Sequence, residues 1–157
     1  MRRFAMSAAA VAVATLALAG CATAEEPSGP QPPNGFTLSA TLEDGSLLWN
    51  DLSEGSGLTD LILESPEGSY VHTCLGTAPK YCWDDWRQPT MMLVIAPPGS
   101  TEAVLNWYGQ ALPLTAGTPL SDEAPAVFAL VMPEYETNDQ GWTFEVRNAA
   151  GETVMTS

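Results

Sequence analysis

Phe36-Thr37-Leu38-Ser39-Ala40-Thr41-Leu42 places apolar side chains at 36, 38, 40 and 42 and polar ones at 37, 39 and 41. A period of two marks an extended strand with one face on a core and the other in water, because successive side chains leave a strand on opposite sides. Glu43-Asp44-Gly45-Ser46 then supplies turn chemistry. The same alternation returns near the other end, where Trp142, Phe144 and Val146 interleave with Thr143, Glu145 and Arg147.

Between these two segments the chain is divided into short pieces of similar character. Leu47 to Leu52 and Leu58 to Glu64 are read as strands, the second against a competing helical spacing of Leu58, Leu61 and Ile62. Ser65-Pro66-Glu67-Gly68 marks a turn, and Ser69 to Cys74 is rich in the β-favouring residues Tyr, Val and Thr. Met91-Met92-Leu93-Val94-Ile95-Ala96 is continuously apolar and short, which suits an interior strand covered on both faces. Pro97-Pro98-Gly99 ends it. Ala103 to Tyr108 and Ala111 to Leu114, separated by Gly109-Gln110, are read as a hairpin, and Ala126 to Met132 is a second apolar run stopped by Pro133.

Short strands at regular spacing, punctuated by Gly and Pro and with no long helix between them, predict an all-β domain: a single antiparallel β-sandwich, with a small β-barrel as the alternative. After Arg147, Asn148-Ala149-Ala150-Gly151 turns the chain into Glu152 to Met155. This closing hairpin resembles that of bacterial immunoglobulin-like modules over about fifteen residues, and the resemblance implies an immunoglobulin-like sandwich for residues 36–157.

The N-terminus carries an address. Arg2 and Arg3 precede an uncharged run, Phe4 to Ala19, rich in Ala, Val and Leu, as a secretory signal requires. The run ends in Leu18-Ala19-Gly20-Cys21, which resembles the lipobox of bacterial lipoproteins at all four positions. The resemblance implies removal of residues 1–20 and a diacylglyceryl group on the sulfur of Cys21. Two acyl chains hold a protein on a bilayer durably where one does not. The implied location is the extracytoplasmic face of the cell membrane. Residues 21–35 continue as the lipidated Cys and a Pro/Gly-rich tether, with prolines at 27, 30, 32 and 33 and no aliphatic side chain larger than Ala. Extended at about 3.1 Å per residue, the tether reaches roughly 40 Å from the bilayer.

Without residues 1–20 the chain keeps three basic residues, Lys80, Arg87 and Arg147, against nineteen acidic ones, a formal charge of −16. Nucleic acid is excluded as a partner, since phosphate binding relies on clustered Lys and Arg. Docking on anionic lipid through surface charge is equally disfavoured, which makes the covalent anchor the route to the membrane. An envelope protein or a glycan remains as the class of partner.

With Cys21 assigned to lipid, Cys74 and Cys82 are expected to form a disulfide, the usual state of paired cysteines in an exported chain. His72 is the only histidine, so a Ser-His-Asp or Cys-His mechanism would run through it, and on a strand it shares a face with Cys74. A small metal-binding protein or hydrolase centred on His72 is therefore the competing class. The serine-hydrolase elbow and the Ser-x-x-Lys motif are absent, and His72, Cys74, Cys82, Met91 and Met92 match no metal-ligand spacing. The expectation is a non-enzymatic module without cofactor or metal. Its candidate binding cluster is Trp83, Asp84, Asp85, Trp86 and Arg87, where indole faces interleave with carboxylates and a guanidinium in the manner of sugar-binding sites. The competing assignment for these residues is structural, with an indole closing one end of the sandwich.

Overall fold

The computed structural model describes residues 31–53, 55–84, 89–132 and 141–157. Among them are twelve strands and no helix: β1 (Thr37–Thr41), β2 (Leu47–Ser53), β3 (Leu58–Glu64), β4 (Tyr70–Gly76), β5 (Lys80–Asp84), β6 (Met91–Ala96), β7 (Ser100–Trp107), β8 (Gln110–Pro113), β9 (Thr115–Ala116), β10 (Ala126–Val131), β11 (Trp142–Asn148) and β12 (Thr153–Thr156). They build three antiparallel four-stranded sheets, ordered β1-β2-β3-β4, β5-β6-β10-β9 and β12-β11-β7-β8. None of the three closes on itself, so the fold is a sandwich and not a barrel.

The last eight strands have immunoglobulin connectivity. If β5 to β12 are lettered A, B, C, C′, D, E, F and G, the two sheets read ABED and GFCC′. The first four strands form a consecutive meander, a third layer beside the sandwich that strand periodicity alone does not separate from it.

The middle sheet is buried on both sides, and β6 shows how. Met92, Val94 and Ala96 pack with Ala103, Leu105, Phe144 and Val146 of the GFCC′ sheet, while Met91, Leu93 and Ile95 pack with Leu48, Leu61 and Leu63 of the meander. Every β6 residue is at most 2% exposed, which accounts for a strand that is apolar without alternation. Its partner β10 divides likewise, with Phe128 in one core and Val127 and Ala129 in the other.

Two devices join the meander to the middle sheet. Cys74 of β4 and Cys82 of β5 form the expected disulfide, with Cα atoms 5.5 Å apart. In immunoglobulin domains the cystine spans B and F, whereas here it joins strand A to the added layer. At the opposite edge the Ser39 hydroxyl donates to the Thr118 carbonyl at 3.0 Å, and the Thr118 N–H donates to the Ser39 carbonyl at 2.8 Å. The hairpin between β7 and β8 turns at Tyr108-Gly109, one residue earlier than expected. Both have positive φ, 47° and 91°, the requirement of a tight two-residue turn matched to strand twist.

Candidate functional site

Cys82, Trp83 and Asp84 lie on β5, not in a loop held by the disulfide. The strand is not legible in the sequence because its two faces carry unlike residues towards two different cores. The Trp83 side joins the core beneath the GFCC′ sheet, and the Cys82 side joins the core beneath the meander. Trp83 is half-buried, with its ring 5.1 Å from Trp107 and 5.4 Å from Trp142, all near parallel. Tyr81 continues the cluster edge-on to Phe144 at 4.9 Å, and Tyr108 is edge-on to Trp107 at 4.8 Å. Trp83 thus already stacks on two indoles. Asp85, Trp86 and Arg87 of the predicted cluster, like Cys21, lie outside the described residues.

His72 and Cys74 do share a face of β4, since they pair with Leu63 and Leu61, both pointing into the core. The sulfur of Cys74 is committed to Cys82. His72 faces Asp84 across the layers, Nδ1 to Oδ2 3.9 Å, which is beyond hydrogen-bond range. Its Nε2 is buried and has no partner among the described residues. Also among the described residues, no three His, Cys, Asp or Glu side chains are gathered so as to hold a metal ion.

Among the described residues a pocket lies elsewhere, lined by strand ends and turns from all three sheets. It is open to solvent on one side and offers about 670 Å³, within the range of small-molecule sites. One wall is Leu112, Pro113 and Leu114, where the chain leaves β8 and crosses to the middle sheet. Leu130, Val131 and Met132 at the end of β10 form the facing wall, and Leu42 of the meander contributes a third side. Glu43 and Asp44, both exposed, carry the carboxylates of the lining, and no described lining residue is basic.

Local hydrogen bonds hold these walls. The Asp44 carboxylate accepts from the Ser46 N–H at 3.0 Å and from its hydroxyl at 2.9 Å, which fixes the turn between β1 and β2. The Met132 N–H donates to the Thr90 carbonyl at 2.8 Å, and the Leu114 N–H donates to the Ala103 carbonyl at 2.9 Å. Sequence reasoning did not find this cavity, because its residues are strand ends and turns from segments about ninety positions apart, with no shared periodicity.

No protein-family model matches the chain, and no curated protein or solved structure matches it. The assignment therefore rests on chemistry and geometry.

Proposed function

We propose that this chain is a lipid-anchored, extracytoplasmic, non-enzymatic binding module of a bacterial cell envelope. The observation that carries the reading is Leu18-Ala19-Gly20-Cys21 at the end of an uncharged apolar run behind two arginines. Three further features support it. The Pro-rich residues after Cys21 suit a tether, and the cystine between β4 and β5 suits an oxidising compartment. An immunoglobulin-type sandwich is a scaffold used widely for display and recognition.

The test is mass spectrometry of the N-terminal peptide from native protein recovered with membranes. The expected species begins at Cys21 and carries a diacylglyceryl thioether. A Cys21→Ser variant should leave the membrane fraction while its cystine and its tryptophan emission stay unchanged. An unacylated N-terminus on the native membrane-bound protein, or membrane retention of the variant, overturns the anchor.

A further inference from the structure

We propose that the cavity at the junction of the three sheets binds a hydrophobic cation, a small molecule with an apolar body and a protonated amine. This deepens the binding-module reading and rests on it. The walls are Leu112, Leu114, Leu130, Val131 and Met132, which offer a ligand contact area and almost no hydrogen bonds. Such walls select an apolar body, and a cavity of about 670 Å³ accommodates one of drug size.

The mouth selects the charge. Glu43 and Asp44 stand at one rim, and no described lining residue offers a positive charge to offset them. Of the three basic residues after residue 20, Lys80 donates to the Leu75 carbonyl, Arg147 pairs with Glu145 and Glu102, and Arg87 lies outside the described residues. The field of a chain with formal charge −16 after residue 20 draws cations towards the same rim and repels carboxylates and phosphates. A bare metal ion is a poor fit, because hard cations take six or more oxygen ligands and the Asp44 carboxylate is already held by Ser46. An amine needs only one or two acceptors, and Glu43 and Thr115 are both among the lining residues. The hydrogen-bonded turn at Asp44 and the tie from Met132 to Thr90 preform the site, so little ordering entropy opposes binding.

The experiment uses the full chain carrying Cys21→Ser, below the micellar range, with decylammonium, decanol and decanoate as probes. Methionine methyl resonances locate binding, because Met132 lines the cavity at the end of the core it shares with Met92, whereas neither Met91 nor Met92 lines it. Decylammonium is expected to shift Met132 alone and to bind at least tenfold more tightly than decanoate, with the ratio shrinking as salt is added. Glu43→Gln should reduce that preference severalfold and leave decanol affinity unchanged. Thr115→Trp, which fills the space, should abolish all three. Equal binding of the three head groups overturns the cationic specificity. No shift at Met132 with any probe, or shifts led by Met91 and Met92, overturns the site. These results are independent of acylation at Cys21, so failure of the cavity and failure of the anchor are told apart.

Discussion

Asp60 on β3 stands directly opposite Asp51 on β2, two carboxylates paired across an antiparallel ladder. Burial raises the pKa of Asp60 above its ordinary 3.8, and the charge of Asp51 raises it further. A carboxyl that holds its proton more tightly folded than unfolded adds stability below its ordinary pKa, and that contribution is lost as pH rises through the raised folded value. Asp60 therefore opposes folding at neutral pH. Asp60→Asn should stabilise the domain by about 0.2–1 kcal/mol at pH 7, the size of a like-charge cross-strand penalty. The gain should vanish near pH 3, where wild type and variant should give the same urea midpoint. Trp83 is the second informative residue, because its stacking on Trp107 and Trp142 gives it a packing role whatever else it does. Trp83→Ala should cost about 3 kcal/mol in denaturant unfolding, near the low end for a large aromatic that is half-buried. A cost within experimental error would return its indole to the pool of free binding surfaces.

At the scale of elements, legibility in the sequence depended on how many cores a strand faces. Strand β11 has one buried face and alternates, and β6 has two buried faces of like character and is uniformly apolar, so both are readable; β1 is legible as a strand, but a bulge between Leu38 and Ala40 leaves Leu38 exposed and buries Ser39, against the face its alternation predicts. Strand β5 also touches two cores, but with Trp83 on one side and a cystine sulfur and Asp84 on the other, which erases any pattern. Strand β9 is two residues long and exists through its pairing with Phe128 and Ala129 of β10, a tertiary cause that no local signal carries. The ties between layers are equally tertiary. A Cβ at Gly117, just after β9, would collide with the Ser39 hydroxyl and with Val127 Cγ2. Gly117→Ala should therefore loosen the edge of the meander and raise hydrogen exchange at Thr118 and in β1 by more than tenfold, with β11 unaffected. At the other edge, Cys74→Ala with Cys82→Ala should cost about 2.5 kcal/mol, the chain-entropy value for so short a loop. Reducing the native protein should add the mass of two hydrogen atoms without releasing metal.

For the whole molecule, the decisive fact is that one sheet serves two cores. In an isolated sandwich the outer face of the ABED sheet meets water, whereas here Leu93, Ile95, Val127 and Ala129 on that face are 0% exposed beneath the meander. Loss of the meander would uncover a continuous apolar surface, and loss of the GFCC′ sheet would uncover the opposite face of the same strands. Neither outer layer can leave without leaving the middle sheet unstable in water, so the three layers should unfold as one. Native-state hydrogen exchange tests this: amides of β3 in the meander and of β7 in the GFCC′ sheet should share one opening free energy. Leu93→Ala, on the meander side of β6, should lower both by an equal amount, about 3 kcal/mol for a fully buried leucine. Val94→Ala, one residue along and facing the other core, should also lower both together, by a smaller amount in keeping with the smaller side chain removed. If Leu93→Ala lowers protection in β3 and leaves β7 unchanged, the layers are separate cooperative units and the shared sheet couples nothing.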